Sequence, residues 1–410
     1  MLLEAGARLL QPLLQGIAAV RPRAPVRCRC GRRMRSVGRR AKTFQTLLGP
    51  VRLTRSLFVC PRCRASRFPA DERLGLAGAG HSPGVRRLAA RAGCQAPFAA
   101  AADDLRVYAE MSLSPKAVER LAAGAGRRIE AWTAAERSRL LDAARRSSAP
   151  PRQRDLPILY VSWDGTGVPM RAAELHGRRG KDPAGRARTR ELKLGCVFTQ
   201  TGRDDAGRPV RDPGSTTYVG AIETSEDFGW RLYGEALRRG LDRARRVVLL
   251  TDAARYNLAL AQLHFPHATL IIDLYHAREH LYRLADLLLR GSRRAQRLAA
   301  WIDALDAGAI PKLLAHARRL LPRRGPRHAQ ALTEIHFFRD HAPYMRYAEF
   351  RAQGFFVGSG VIEAGCRSLV GLRLKQSGMF WSVSGANAIT ALRCCLASGR
   401  FEQFCEDQVA

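Results

Sequence analysis

The sequence predicts an α/β protein whose sheet is preceded by a cysteine-bearing hairpin and a helical region. Three observations predict this class. Two apolar runs, residues 156–164 (LPILYVSWD) and 247–252 (VVLLTD), each end on an aspartate, and both read as buried strands. Strand-like and helix-like segments alternate after residue 155. Four cysteines near the start of the chain flank a segment of alternating apolar residues.

The length and composition indicate several domains and no membrane span. A chain of 410 residues exceeds one ordinary domain, and 46% apolar residues are enough for real cores. No apolar run reaches the ~18 residues that a membrane helix needs. Residues 1–20 carry Glu4 and Arg8 but no basic n-region, which favours an amphipathic helix over a signal peptide and predicts a cytoplasmic protein.

The charge balance predicts a polyanionic partner. The chain has 69 basic and 36 acidic residues, a net charge of +33 and a pI near 11.2. A GC-rich genome can explain the use of arginine in place of lysine, but it does not explain the shortage of acids. A surface this basic favours nucleic acid as the partner.

Cys28, Cys30, Cys60 and Cys63 predict a structural zinc site. In a reducing cytoplasm, close cysteine pairs indicate metal binding more often than disulfides. Four thiolates suit tetrahedral Zn²⁺, and Gly31 provides the tight turn that lets backbone amides approach sulfur. The alternatives are buried reduced thiols or a ribbon that no longer binds metal.

A β-hairpin is predicted between the two cysteine pairs, which together with them forms a zinc-ribbon-like module. Residues 43–48 and 51–59 are the predicted strands, and Gly49-Pro50 is the predicted turn. The second strand alternates apolar residues with polar ones, as a half-buried strand does.

Residues 71–150 have a helical pattern. Ser82-Pro83 and Ser114-Pro115 each combine a capping serine with a first-turn proline. Short helices with glycine breaks and arginine on one face are typical of a helix-turn-helix array on duplex DNA, although a plain helical linker fits the same pattern. Residues 146–155 (RSSAPPRQRD) predict a linker into the next domain.

The rest of the chain predicts a ribonuclease H-like core with a helical insertion. Three strands joined without helices indicate an antiparallel meander, and the following order is helix, strand, helix, strand. The predicted strands and helices are, in order, 156–164, 192–200, 216–222, 226–239, 247–250, 253–263 and 269–273. The predicted domains are the N-terminal helix and ribbon (1–70), the helical DNA-binding region (71–150), the first part of the core (151–276), the insertion (277–350) and the second part of the core (351–410).

Asp164, Asp252 and Glu363 are the candidate catalytic residues. In-line displacement at a phosphodiester uses one metal ion to ready the nucleophile and a second to stabilise the leaving oxygen. Mg²⁺, or Mn²⁺ in its place, takes oxygen ligands, so three acids from different elements can hold two ions. Asp252 could instead act only as a helix cap, and Glu363 could be a solvated helix acid.

The motifs around these acids resemble a known family. The motifs are WDGTG around Asp164, LLTDAARYN around Asp252, IIDLYHAREHL at 271–281, GSGVIEAGCR at 358–367 and LRLKQSGMFWS at 372–382. With the cysteine pairs, they make the chain similar to DDE insertion-sequence transposases among the Mutator-like relatives, of the ISKra type. The resemblance covers most of the chain. One departure is Ala253, where the family usually has glycine, and alanine also starts a helix well.

The resemblance implies a fold, an activity and partners. Asp164, Asp252 and Glu363 take the D, D and E roles, and Asp273 with His276 matches the family's (C/D)xxH motif. The protein would cut DNA at terminal inverted repeats and join the 3′-hydroxyl to target DNA. The active assembly would be a homodimer or larger. A non-catalytic DNA-binding descendant and another ribonuclease H-like nuclease are the alternatives.

The accessory residues each have more than one possible role. Asp273 is the rival for the second metal acid, and His276 could be a packed core histidine. Arg367 could hold a DNA phosphate or pair with Glu363. Lys375 and Trp381 could contact the cut strand by charge and by base stacking, and Trp381 could equally be core. The remaining cysteines are predicted to be small buried hydrophobes: Cys94, Cys196, Cys366, Cys394, Cys395 and Cys405.

Overall fold

The computed structural model describes residues 2–146, 155–175 and 188–408, which form a mixed α/β protein. Most of the predicted linker at 146–155 lies outside the described residues. Two compact units result, Met1–Ile129 with Phe401–Ala410, and Glu130–Arg400. Within the described ranges, no helix combines the length and apolar character needed to cross a bilayer.

The secondary structure alternates as predicted after residue 155. The strands are β1 (Arg35–Thr46), β2 (Gly49–Val59), β3 (Ser66–Arg67), β4 (Leu156–Pro169), β5 (Thr189–Gln200), β6 (Gly202–Arg203), β7 (Pro209–Val210), β8 (Thr217–Ala221), β9 (Ala244–Thr251) and β10 (Thr269–Ile272). The helices are α1 (Leu2–Ala19), α2 (Pro69–Arg73), α3 (Pro83–Gln95), α4 (Phe98–Ala109), α5 (Pro115–Arg146), α6 (Ser225–Arg238), α7 (Arg255–His264), α8 (Leu274–Leu288), α9 (Arg294–Asp306), α10 (Ile310–Leu320), α11 (Pro326–His341), α12 (Tyr347–Ala352), α13 (Gly360–Gly365), α14 (Leu372–Leu374), α15 (Val383–Ala397) and α16 (Phe401–Asp407). Single 3₁₀ turns lie at Ala172–Glu174 and Ala342–Tyr344, and a π-helical turn lies at Cys366–Gly371.

The hairpin between the cysteine pairs forms, but its turn lies two residues earlier than predicted. Thr46 pairs with Gly49, so the turn residues are Leu47 and Leu48. The Thr46 hydroxyl donates to the Gly49 carbonyl (2.7 Å) and accepts from the Leu48 N–H (3.2 Å). Gly49 has a φ of +116°, and Pro50 belongs to β2. The threonine side chain therefore stabilises a tighter turn than the Gly-Pro signal indicates.

Helix α1 packs along β2 and satisfies the free edge of that strand. The Gln15 side-chain amide donates to the Thr54 carbonyl (3.0 Å) and accepts from the Thr54 N–H (2.9 Å). The Gln11 side chain accepts from the Arg52 N–H (3.2 Å). Since an exposed strand edge can pair with another chain, these glutamines also block that route.

An arginine lies on the buried face of β2. Val51 and Leu53 are fully buried, and Arg55 is 3% exposed in the same alternating row. Its guanidinium makes a two-point contact with Asp71 of α2, at 2.7 and 3.2 Å. Because both side chains are buried, each charge depends on the other for compensation.

The helical region contains the predicted caps but not the predicted breaks. The Ser82 and Ser114 hydroxyls accept backbone N–H groups three residues later, at 3.4 and 3.2 Å. Helix α5 runs unbroken over 32 residues through Gly124 and Gly126, so the prediction of short helices here is wrong. A glycine costs about 1 kcal/mol relative to alanine, which the surrounding helix formers outweigh.

The larger unit contains a five-stranded sheet in the order β10-β9-β4-β5-β8. Strands β4, β5 and β8 are antiparallel, which confirms the predicted meander. Strands β9 and β10 are parallel to β4 on its other side. Leu159, Val161 and Trp163 of β4 pack against Phe228 of α6 and Leu260 of α7, so these helices cover one face of the sheet.

The helical excursion leaves the sheet after β10 and comes back to it close to where it left. It comprises α8 to α12, and it begins directly after β10. The Leu274 N–H donates to the Val357 carbonyl (3.0 Å), which joins the first and last residues of the excursion. The Phe356 ring then packs edge-on against Tyr160 of β4 (5.3 Å between centroids), so the returning chain enters the core.

Replacing Asp71 with alanine should destabilise the smaller unit by about 3–5 kcal/mol, because Arg55 would be buried without a counter-charge. Chemical denaturation measures the change. Glu72→Ala is the control, since Glu72 pairs with Arg67 at an exposed position, and its loss should cost only about 0–1 kcal/mol. Equal effects of the two variants would contradict the interpretation.

Candidate functional site

Asp164 and Asp252 lie at the same level of the sheet. β4 and β9 pair in parallel up to Ser162 opposite Leu250, and each aspartate follows two residues later. The offset is 88 residues for both pairs (250 − 162 and 252 − 164), so the register directs the two aspartates to the same end of adjacent chains. We call this the carboxylate end. β4 continues beside β5 to Pro169, so the prediction that Asp164 ends its strand is wrong, because only the pairing with β9 ends here.

A buried asparagine orients Asp252. The Asn257 side-chain N–H donates to Asp252 Oδ1, and the Ala254 N–H donates to the same oxygen (3.0 Å). The Trp163 indole N–H donates to Asn257 Oδ1 (2.5 Å), and Asn257 is fully buried. The helix cap of α7 is Ala254, so Asp252 is not simply the cap residue. Through Asn257, these hydrogen bonds connect Asp252 to Trp163, the residue that precedes Asp164.

Asp164 is partly buried and lies in a field of like charge. Burial raises the pKa of its carboxyl, and the charges of Asp252 and Glu363 raise it further. The Gly165 N–H (2.7 Å) and the Cys366 thiol donate to it and oppose the rise. Cys366 is therefore a hydrogen-bond donor at this site and not a simple buried hydrophobe, which corrects the prediction. Burial raises the pKa of its thiol to about 12, so it stays protonated.

Glu363 reaches the same region from α13. This helix crosses the sheet where Gly365 lies close to Leu194, the β5 partner of Asp164; a Cβ on Gly365 would meet the Leu194 side chain at 3.2 Å. The Glu363 side chain is exposed, and its Oε1 accepts from the Ser359 hydroxyl (2.7 Å). The Ser359 N–H donates in turn to Asp273 Oδ2. Buried Asp273 therefore fixes the loop from which α13 starts.

Asp273 and His276 occupy structural positions. Asp273 is 3% exposed, and its two oxygens accept from the His276 N–H (2.7 Å) and the Ser359 N–H. The His276 ring is half-buried within the insertion, edge-on to His280 (5.1 Å) and near Phe337 (6.4 Å). Both carboxylate oxygens of Asp273 are thus engaged by backbone, whereas Asp252 has the freer carboxylate.

The three carboxylates share one neighbourhood, but they do not form a compact ligand set. In the described part of the chain, the only group of three or more acidic, histidine or cysteine ligands within 4.8 Å of one another is the four-cysteine cluster. All three acids offer the oxygen donors that Mg²⁺ and Mn²⁺ prefer, so their chemistry fits these ions. The geometry that gathers Glu363 with the two aspartates is not present.

A fourth acid, not predicted from the sequence, adjoins Asp164. Glu191 of β5 lies over Gly165, where a Cβ would come within 2.4 Å of Glu191 Oε1. Glu191 pairs with buried Lys193 (2.8 Å), and the Tyr256 hydroxyl contacts Glu191 at 3.4 Å. Burial and the charges of Glu191, Asp252 and Asp164 raise the pKa of Tyr256, so its phenol lies among these carboxylates.

Lys375 also reaches the carboxylate end, because its ammonium donates to the hydroxyl of Thr166, two residues after Asp164. Arg367 is exposed one turn after Glu363, and in the described residues it makes no ion pair with that glutamate. Lys375 is therefore positioned at the carboxylate end, whereas Arg367 is exposed on the same chain segment as Glu363.

Trp381 is a core residue. It is 8% exposed, its indole N–H donates to the Leu374 carbonyl (3.0 Å), and its backbone N–H donates to the Pro169 carbonyl (3.1 Å). The ring is not presented for base stacking, so the core alternative fits this position. The neighbouring Phe380 is 53% exposed instead.

The four N-terminal cysteines form a compact cluster. Their sulfur atoms lie within 4.8 Å of one another, with Cys28 to Cys63 at 3.4 Å and Cys30 to Cys60 at 3.6 Å, and all four are free thiols. Gly31 (φ +82°) closes the first turn as predicted, and Arg64 (φ 60°) closes the second. This arrangement can hold a metal ion with four sulfur ligands.

The backbone around the cluster favours thiolate at one position. The Cys63 N–H lowers the pKa of the Cys60 thiol to about 6, assisted by the Arg62 N–H. The Cys30 N–H also lowers the pKa of Cys28, but the hydrogen bond to Cys63 and burial raise it to about 11. Backbone amides thus approach sulfur in both turns, as the sequence predicted.

Comparisons with known proteins give little support for any family. No protein-family profile matches the chain, and no curated protein matches it. Among solved structures, the chain is similar to the Drosophila P element transposase strand transfer complex, at 10% identity, over 82% of this chain and 83% of that chain, with a TM-score of 0.26. A TM-score this low establishes neither a shared fold nor a shared activity.

Asp164→Asn should stabilise the protein when magnesium is omitted. The pKa of Asp164 is raised in the folded state. The contribution of this carboxyl to the free energy of unfolding is therefore fully present below its unfolded pKa of about 3.9, and it is lost as the pH rises through the raised value. The variant should therefore melt higher at pH 7, by about 2–4 °C for each kcal/mol gained, and the difference should vanish well below pH 4.

Asp155→Asn provides the control for this measurement, because Asp155 is exposed at the other end of β4 beside Arg243. Thermal unfolding followed by circular dichroism across pH should show no comparable gain. A melting temperature of Asp164→Asn equal to or below that of the unmodified protein at pH 7 would contradict the argument.

Proposed function

We propose that the chain is a DDE transposase of an insertion sequence, related to the Mutator-like enzymes of the ISKra type. It would cleave DNA at terminal inverted repeats and join the exposed 3′-hydroxyl to target DNA. The proposal rests on the position of Asp164 and Asp252 at the same level of the sheet. The charge of Glu363, which acts on Asp164, supports it. A carboxyl with a raised pKa beside a second acid, where the pairing of two parallel strands ends, is typical of an active site.

We infer that residues 156–273 with the returning chain form a ribonuclease H-like core. The antiparallel β4–β5–β8 meander is followed by α6, β9, α7 and β10, with β9 and β10 parallel to β4. This order supports the inference, and the shared hydrogen bond of Leu274 and Val357 accounts for the long gap before Glu363.

Asp164, Asp252 and Glu363 would hold two Mg²⁺ or Mn²⁺ ions. Such ions, when bound, ready the attacking oxygen and stabilise the leaving one. Asn257 keeps Asp252 in one orientation, and Ser359 holds Glu363 toward the start of its helix. Glu363 must move or turn to join the aspartates, and its exposed position on a short helix leaves room for that change.

The charge of the chain supports DNA as the partner. Lys375 beside Thr166 would meet a phosphate of the strand being cut, and exposed Arg367 would meet another. The ribbon and helices α3–α5 would recognise the element ends, and the active complex would contain at least two copies. The net charge of +33 supplies the long-range attraction to DNA.

Asp164→Asn, Asp252→Asn and Glu363→Gln should each lower metal-dependent cleavage of end-bearing DNA by at least about 10³-fold, because each removes a proposed metal ligand. Single-turnover cleavage with Mg²⁺, measured on a gel, tests this. Asp155→Asn, the same change outside the carboxylate end, should retain full activity. Undiminished cleavage by Asp164→Asn would remove the proposed active site.

A second candidate is a non-catalytic DNA-binding protein derived from a transposase. The observation that favours it is that Glu363 does not join the aspartates in one ligand set. The cleavage assay separates the two: tight end binding without metal-dependent cleavage by the unmodified protein would support this alternative. Equal cleavage of junctions or RNA hybrids would indicate another ribonuclease H-like nuclease instead.

We propose structural Zn²⁺ at Cys28, Cys30, Cys60 and Cys63. The purified protein should contain one zinc per chain, and Cys60→Ser should lose it and lower the melting temperature, since metal binding is coupled to folding of small ribbons. Elemental analysis gives the zinc content. Cys94→Ser, a change at a buried cysteine of α3, should keep the metal. Zinc retained at full occupancy in Cys60→Ser would refute the site.

A further inference from the structure

A cavity lined by three arginines lies at the opposite end of the sheet. Its volume is about 350 Å³, and it is bounded by the start of β4, the end of β5, strand β6 and the start of β9. We call it the arginine cavity after Arg203, Arg245 and Arg246. The other lining residues are uncharged: Pro157, Ile158, Gln200, Thr201 and Gly202.

Two of these arginines are held in place by neutral groups. The Arg203 guanidinium donates to the Gln353 carbonyl (2.6 Å) and packs across Gly354, where a Cβ would come within 2.2 Å of it. The Arg246 guanidinium lies over the Phe355 ring, 5.4 Å from its centroid. Neither arginine forms an ion pair with an acid in the described residues. Their charges are therefore oriented but not neutralised.

The cavity wall carries positive charge only. Arg203, Arg245 and Arg246 line it, and no acid in the described ranges does. Thr201 of the cavity wall is tied to Asp212 by two hydrogen bonds of 2.9 and 2.7 Å, but Asp212 does not line the cavity. The lining therefore suits an anion.

The arginine cavity is separate from the carboxylate end. Ile158 lines the cavity, and Asp164 lies six residues further along β4. At about 3.3 Å per residue, the two ends are about 20 Å apart. A nucleic-acid strand that rises about 3.4 Å per nucleotide needs about six nucleotides to cover this distance. A phosphate in the cavity therefore cannot be the one at the proposed cleavage site.

We propose that the arginine cavity binds a backbone phosphate of nucleic acid and forms a second contact remote from the carboxylates. Planar guanidiniums match the oxygens of a phosphodiester, and Arg203 and Arg246, which packing already holds in place, lose little entropy on binding. A chain of this net charge meets polynucleotide more strongly than isolated anions. The proposal deepens the proposed function because it names a contact for DNA, but it requires binding only.

The test compares the salt dependence of duplex binding. Fluorescence anisotropy of a labelled 40-base-pair duplex, without divalent ions, is measured between 50 and 200 mM NaCl. Arg203→Gln/Arg246→Gln should reduce the slope of log K against log salt by about 0.9 if one phosphate contact is lost, which is about 3.5-fold less change in affinity over that range. Arg203→Lys/Arg246→Lys keeps both charges and should restore most of the slope.

The matched control is Arg339→Gln/Arg346→Gln, which removes two exposed charges from the same unit, each already paired with an acid. Its slope should stay unchanged. An unchanged slope in the cavity variant, or an equal loss in the control, overturns the proposal. Binding of free anions alone would also overturn the proposal. In that case inorganic phosphate would stabilise the unmodified protein but not the Gln variant, and the slope for DNA would be the same in both.

The outcome is distinguishable from that of the cleavage experiment. If the slope changes but no metal-dependent cleavage occurs, the second contact stands and the enzyme proposal fails. If cleavage is intact and the slope is unchanged, the enzyme proposal stands and the second contact fails.

Discussion

The carboxylate end depends on one buried acceptor, Asp273. Its oxygens accept from the first turn of α8 and from Ser359, so the same side chain ends β10, starts the insertion and fixes the loop that begins α13. Burial makes these hydrogen bonds strong and makes their loss costly. Without this acceptor, Glu363 would have no fixed relation to the two aspartates, which are held independently by the strands.

The aspartates themselves are positioned at the expense of stability. Parallel register brings Asp164 beside Asp252, and burial with like charge raises the pKa of Asp164. The structure offsets this cost locally through the Gly165 N–H and the Cys366 thiol, which both donate to Asp164. Strain of this kind is typical of functional sites, where a residue is retained for its reactivity and not for its contribution to folding.

Much of the sheet was predictable from the sequence, because the apolar runs that lead into Asp164 and Asp252 report burial directly. The role of the three acids stays a prediction. The hairpin turn was displaced because the Thr46 hydroxyl, not the Gly-Pro pair, stabilises it. Helix α5 is continuous because its many helix formers outweigh two glycines. Asn257 and Glu191 were not found, since their partners come from other strands and no local pattern marks such contacts.

Because Leu274 and Val357 are hydrogen-bonded to each other, the helices between them form a separate excursion from the sheet. An excursion whose ends already touch adds no strain to the sheet, whatever its length, and loop entropy grows only slowly with added residues. A change in the length of helices α9 to α11 therefore leaves the register of the strands unchanged. Phe356 packs against Tyr160 in the core, so the chain from Phe356 onward does not have this freedom.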